Sequence, residues 1–177
     1  MKKLFILLSL SLLVVGCQGK NAENSDDIKS FTNKYECYRN SEYKKYDIEH
    51  RENGGYRLTE EELEEKNNSP VAVKYTEKKV YDFNENGSKL LKYLDIDEYE
   101  YVIDDIDMNK EKEYFEKACE KVSTERYKSC TVELDGKKIT VTKANDLTTD
   151  LNKDMAEKTT KESIIEAYKD GELFTCK

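Results

Sequence analysis

Five cysteines in 177 residues limit the fold of this chain more than any other feature. Five is odd, so one cysteine has a fate different from the rest. Cys17 stands apart behind an apolar run, while Cys37, Cys119, Cys130 and Cys176 are spread through the remainder. Four cysteines permit three pairings. They pair in an oxidising compartment and stay free in a reducing one. No C-x-x-C occurs, so thioredoxin-like redox chemistry and zinc ribbons find no support.

The start of the chain indicates the compartment. Lys2 and Lys3 form a positive n-region, and Leu4 to Val15 is apolar except for Ser9 and Ser11. That run suits a signal h-region and is short of the roughly 20 residues that span a bilayer. It ends in Leu13-Val14-Val15-Gly16-Cys17, which resembles the lipobox of bacterial lipoproteins. The Cys17 thiol takes a diacylglyceryl group at the membrane surface, and the small Gly16 lets a peptidase reach the preceding bond. The resemblance implies that residues 1–16 are removed and that Cys17 becomes a lipid-bearing first residue. It implies a lipid-anchored location on the outer face of the cytoplasmic membrane. The competing reading is secretory cleavage after Gly19, where Cys17 and Gly19 make a poor small-x-small site. Each buried methylene contributes about 0.8 kcal/mol, so two acyl chains hold a protein stably where one does not.

The formal net charge is −8, and loss of Lys2 and Lys3 with the leader makes it −10. An acidic domain of pI near 5.0 is poorly suited to nucleic acid or to anionic lipid surfaces. Charged residues make up 38% and mean hydropathy is −0.91, a polarity that alone would suit disorder. The 13 tyrosines and regular apolar spacing argue instead for a thin-cored, heavily solvated fold. Residues 17–30 lack periodicity and read as a lipid-anchored tether reaching roughly 20 Å. Residues 31–177 read as one domain, a monomer.

Within that domain Tyr35 and Cys37 alternate with polar residues and predict a strand. Tyr46, Ile48 and His50 predict a weaker second one, broken at Asn53-Gly54-Gly55. Thr59 and Glu62 form a capping box for a short acidic helix over 60–66. Val71, Val73, Tyr75, Tyr81 and Phe83 continue as strand to a turn at Asn84-Glu85-Asn86-Gly87. A long strand follows from Lys89. Its inward phase changes between Leu94, Ile96 and Tyr99, Tyr101, Ile103, which predicts a bulge near Asp97. Phe115, Ala118, Cys119 and Val122 make one stripe of a helix over 108–122. Asp135-Gly136 predicts a two-residue hairpin in which Leu134 faces Lys137, Val132 faces Ile139 and Cys130 faces Val141. A last helix over 160–169 is capped by Thr159 and Glu162, turns Ile164, Ile165 and Tyr168 inward, and stops at Gly171. The expected class is α+β: an antiparallel sheet built from hairpins, with two main helices packed on one face.

This layout favours Cys119–Cys130 and Cys37–Cys176. Cys119 lies on the inner face of its helix and Cys130 on the inner face of the strand that packs against it. The remaining pair ties the first strand to the tail carrying Leu173, Phe174 and Cys176.

Candidate sites are few. Asp105, Asp107, Asn109 and Glu116 fall at calcium-loop spacing, but Lys110 occupies the position that needs Gly. Asp82, Asn84, Asn86 and Gly87 make a complementary half-match that ends in Tyr93, which supplies no bidentate carboxylate. Both are weak against the alternatives of a helix start and a hairpin turn, so no metal is assigned. His50 is the single histidine, and no G-x-S-x-G accompanies it, so it reads as a solvated strand or loop residue. Acidic side chains abound, so carboxylate pairing for glycoside cleavage carries no specificity. No catalytic residue is assigned, and no cofactor beyond diacylglycerol on Cys17.

The order strand hairpin, helix, D-G hairpin, helix, with the stretch KSCTVELDGKKITVT and the tail ELFTCK, resembles the YehR-like lipoproteins over about residues 31–177. The Tyr38 to Pro70 region departs from that pattern. The Cys at the first strand and the Phe-Thr-Cys tail resemble versions of that family in low-GC Gram-positive bacteria; the resemblance implies the fold and the address and brings no reaction or site residues. The expected function is a non-catalytic, membrane-anchored envelope domain that binds an envelope protein or ligand or has a structural role. The alternatives are an extracytoplasmic hydrolase using acidic residues and a calcium-dependent adhesion or sensor module.

Overall fold

The computed structural model describes residues 31–51, 57–171 and 173–177. The leader, Cys17, the tether and Asn53-Gly54-Gly55 lie outside the described residues. The strands are β1 (Asn33–Lys44), β2 (Val71–Phe83), β3 (Leu90–Tyr101), β4 (Tyr127–Asp135), β5 (Lys138–Asn145) and β6 (Thr175–Cys176). The helices are α1 (Lys45–Glu49), α2 (Glu60–Asn68), α3 (Met108–Cys119), α4 (Asp150–Lys158) and α5 (Lys161–Ala167). One 6-stranded sheet runs β4-β5-β3-β2-β1-β6, every neighbouring pair antiparallel. The fold is α+β, with α3 and α5 on the same sheet face, as their core partners show.

Three expectations about strands are corrected. Tyr46, Ile48 and His50 do not form a strand, because the chain turns into α1 at Lys45. Helical spacing of i, i+4 stacks the His50 ring on Tyr46 at 4.0 Å. The orphan N–H groups at the start of α1 reach outside it: Lys45 N–H donates to the Pro70 carbonyl and Tyr46 N–H to Ser69 Oγ.

Second, β3 has no bulge at Asp97. Its register against β2 is unbroken from Tyr101 to Lys92, and against β5 from Glu100 to Leu94. The irregularity in the β2–β3 pairing lies at Asp82/Phe83, beside the turn. The apparent phase change arises because both sheet faces bury apolar residues. Tyr93, Asp95, Asp97, Tyr99 and Tyr101 share the helix-covered face, as alternation requires. Leu94 and Ile96 point to the other face, where they cluster with Val80, Ala144 and Phe31.

Third, the D-G hairpin turns one residue later than expected. Asp135 pairs with Lys138, Leu134 with Ile139, Val132 with Val141 and Cys130 with Lys143. A turn centred on Asp135-Gly136 would be of a type requiring positive φ at both residues, and among the described residues no non-glycine residue has one. Gly136 alone does, at φ 57°, so it takes the first central position. Partners move by two residues, which preserves every face. The shift also exchanges Leu134–Lys137 for Leu134–Ile139 and sets Asp135 against Lys138.

Helix ends follow local chemistry. Thr59 and Glu62 form the expected box at α2. The last helix is capped by Thr160 and Ser163 instead of Thr159 and Glu162, and Ile165 faces solvent while Ile164 and Tyr168 pack inward. Helix α3 ends at Cys119, and Ala118 is exposed while Phe115 and Cys119 pack on the sheet. The sequence reading assigned no helix to α4. Its inward residues are Asn152, Met155 and Ala156. Asn152 Nδ2 spans to the carbonyls of Arg126 and Asp146, a role that apolar periodicity does not reveal.

The two bridges are Cys37–Cys176 and Cys119–Cys130. Cys37 lies directly across from Cys176 in the sheet, and Lys177 exchanges two backbone bonds with Glu36. The sequence separations are 139 and 11. In the chain-entropy model the bridges contribute about 5 and about 3 kcal/mol respectively. Converting Cys37 and Cys176 together to serine is expected to lower Tm more than the same change at Cys119 and Cys130. Differential scanning calorimetry checks this, with non-reduced peptide mapping to verify each remaining bridge.

Candidate functional site

The helix-covered face is not one core. Tyr81, Phe83, Leu90, Tyr93 and Phe174 pack with Ile164, Tyr168 and Met155 near one end. Val73, Tyr101, Ile139 and Val141 pack with Phe115, Cys119 and Val132 near the other. Strand alternation places Arg39, Glu77, Lys79, Asp95, Asp97 and Lys143 on the same face between them. Polar residues at inward positions are expensive unless paired.

Here they are paired. Asp95 is 8% exposed. Its Oδ1 accepts from Tyr93 OH at 2.6 Å and Lys79 Nζ at 3.4 Å; its Oδ2 accepts from Asn145 Nδ2 at 3.2 Å and Tyr127 OH at 3.4 Å. Asp97 accepts from Tyr75 OH at 2.6 Å and pairs with Lys143 at 2.8 Å. Arg39 pairs with Glu77 at 2.6 Å. Burial, helped by Asp95, pushes the Tyr93 phenol far up, and burial with a bond to Asp97 does the same to Tyr75. Burial acts to lower Lys143, but Asp97 outweighs it and holds the ammonium above its ordinary value. The phenols therefore act as fixed donors, and the strip is a charge-compensated seam. That arrangement suits support more than proton transfer, which needs a group poised near the working pH.

A second buried acid lies under the α3 start. Glu111 is 6% exposed. It accepts two bonds from the Arg51 guanidinium, at 2.5 and 2.9 Å, and one from Tyr101 OH at 2.5 Å. Arg51 in turn sits 3.9 Å from the Tyr114 ring centroid. Glu111 lies in the first turn of α3, where the helix dipole favours an acid, but its burial depends on Arg51, 60 residues away.

The calcium-loop residues are engaged separately. Asp105 pairs with Lys45, Asp107 caps α3 by accepting from Asn109 and Lys110 N–H groups, and Glu116 pairs with Lys112. Around the first turn, Asp82 Oδ1 accepts from the Thr32 and Asn33 N–H groups, and Asn84 and Asn86 bond Lys89 and Ser88. Gly87 takes φ 72°. Among the described residues no three His, Cys, Asp or Glu side chains are grouped to hold a metal ion. His50 caps α1, with Nδ1 3.0 Å from the Tyr46 carbonyl oxygen.

Several concavities remain, one of about 390 Å³ with Asn40, Glu42, Lys74 and Glu100 in its lining. On the open sheet face a shallow groove of about 310 Å³ is lined in part by Tyr38, Asn40, Thr76, Lys78 and Glu98. Burial acts to raise Glu98, but bonds from Lys78 and Lys138 outweigh it and hold the carboxyl below its ordinary range. At the end of β3 and β5 a cavity of about 240 Å³ includes Tyr93, Asn145 and Asp146 in its lining. The Asn145 Oδ1 atom is buried and has no hydrogen-bond partner among the described residues. An unmet buried acceptor costs about 1–3 kcal/mol. The hydroxyl and N–H of Thr148 hold the Asp146 carboxyl below its ordinary range.

No family model matches the chain, and no significant match was found among curated proteins or solved structures.

Two measurements probe these networks. Glu111→Ala strands the Arg51 charge and Tyr101 and is expected to cost about 3–5 kcal/mol in urea unfolding. Glu98 has a depressed folded pKa, so its stabilisation is present above the unfolded value near 4.3 and lost as pH falls through the folded value. Glu98→Gln is therefore expected to flatten the acid limb of the stability–pH curve.

Proposed function

We propose that the chain is a lipid-anchored extracytoplasmic protein, held at the outer face of the cytoplasmic membrane through Cys17. Its folded domain binds an envelope partner or small ligand, or has a structural role, without catalysing a reaction. One observation carries the address: the four cysteines beyond Cys17 are used up in two bridges. Paired cysteines fit an oxidising compartment, and Cys17 is left as the odd one, directly behind an export-type leader. The strand hairpin, helix, D-G hairpin and helix order supports kinship with the YehR-like lipoproteins, and that kinship is part of the proposal.

The non-catalytic part rests on the seam. Asp95 and Asp97 are the paired carboxylates that a hydrolase reading would choose. Both are occupied by tyrosine, lysine and amide donors, which leaves neither carboxylate waiting for a substrate proton.

Cys17→Ser is expected to move the protein from the membrane fraction to the soluble or unprocessed pool and to abolish palmitate labelling. Fractionation and metabolic labelling check this. Equal membrane retention of the variant, or an unlabelled wild type, contradicts the anchor.

A further inference from the structure

We infer that the outer edge of β4 pairs with the same edge of a second copy of this chain, joining two sheets across a twofold axis at Val132. In place of the monomer read from the sequence, the domain is then one half of a symmetric pair. The inference concerns the folded domain and does not rest on the membrane address.

Strand β4 ends the sheet, with no neighbour beyond it among the described residues. The phase of the pairing fixes which of its backbone groups point outward. Tyr101 N–H donates to the Lys137 carbonyl, so the odd-numbered residues of β3 direct their N–H and C=O groups towards β5. Their partners Ile139, Val141 and Lys143 point back at β3. Lys138, Thr140 and Thr142 therefore make the bonds to β4, opposite Asp135, Glu133 and Thr131. The backbone groups of Cys130, Val132 and Leu134 are left facing outward.

Open sheet edges are commonly blunted by very short strands, Pro, Lys or bulges. The far edge is treated in that way: β6 has two residues and is bonded through Cys37–Cys176. Along β4, Ser129 to Asp135 contains no Pro, Lys or Arg, and the irregularity in its pairing lies before Ser129.

The edge is complementary to itself in one register. A twofold axis normal to the sheet keeps each side chain on its own face, so the axis passes through a residue. At Val132 it sets Cys130 against Leu134 and Val132 against Val132. All outward N–H and C=O groups of Cys130, Val132 and Leu134 in both copies are then paired. Glu133 meets Thr131 and Asp135 meets Ser129, so no like charges oppose. An axis at Glu133 sets that carboxylate against its own copy, and an axis at Thr131 leaves Leu134 unpaired. On the covered face the contact is apolar, from Val132 and Leu134, which also pack on the domain's own core.

Register-specific crosslinking tests this. Thr131 and Glu133 of opposite copies form a pair outside the new hydrogen bonds, with Cα atoms about 4.5 Å apart, within disulfide range. Full-length Thr131→Cys and Glu133→Cys proteins, purified in detergent, are mixed and oxidised. A covalent dimer is expected from the mixture and not from either alone, because like positions lie on a diagonal of about 7–8 Å. Wild type taken through the same oxidation accounts for any bridge through Cys17. Density-matched sedimentation equilibrium gives the second readout. Thr131→Glu sets like charges opposite each other twice and is expected to weaken association about tenfold, whereas Thr131→Lys strengthens it. Thr131→Glu with Glu133→Lys is expected to restore association. Circular dichroism checks that each variant keeps the fold. No covalent dimer from the mixture, equal dimer from the single variants, or an unchanged dissociation constant in both Thr131→Glu and Thr131→Lys overturns the inference. So does bridging of the edge to a different protein when both cysteine variants are co-expressed in cells.

Discussion

The structure depends on what β3 carries on its covered face. Five alternate residues, Tyr93, Asp95, Asp97, Tyr99 and Tyr101, run across the middle of the sheet. The two acids at the centre divide the apolar surface into halves, and each half has its own cover. Helices α4 and α5 and the tail close one; α1 and α3 close the other. Buried charge is tolerated only when every lone pair has a donor. Tyr75, Tyr93, Tyr127, Lys79, Lys143 and Asn145 supply those donors from four strands, so the seam also binds β2, β3, β4 and β5 together across their side chains.

The bridges complement this arrangement. A sheet whose covered core is split gains less from each half than from one continuous core. The Cys37–Cys176 bond secures the tail that brings Phe174 onto the first half. The Cys119–Cys130 bond fastens α3 to the edge strand beside the second. Each half is thus stapled where its cover meets the sheet, which suits a 38% charged chain with little apolar surface to spare.

Much of this was legible in the residues. Alternation in the long strands, the Thr59 box and the cysteine pairing follow rules that the structure obeys. The failures share a cause. Tyr46, Ile48 and His50 fit a strand pattern, yet the cap groups of Ser69 and Pro70 draw the segment into a helix from a distance. The phase change in β3 looked like a bulge because burial on one face was assumed; Phe31 helps cover the second. The D-G turn moved by one residue because Gly136, and not Asp135, takes the positive φ. Glu111 and Asn145 were invisible as sites because their partners lie 60 and 50 residues away. Long-range polar pairing leaves no periodic trace in a single sequence.

In this account the acids of the seam are structural: they hold two half-cores on one sheet. Equilibrium urea unfolding of Asp95→Ala tests that claim most directly. The substitution strands four donors, one of them the Lys79 ammonium, beneath the helices, and a loss of about 3–5 kcal/mol is expected. A loss below about 1 kcal/mol, the range of an exposed ion pair, would mean that the seam does not hold the halves together, and Asp95 would then be free for another task.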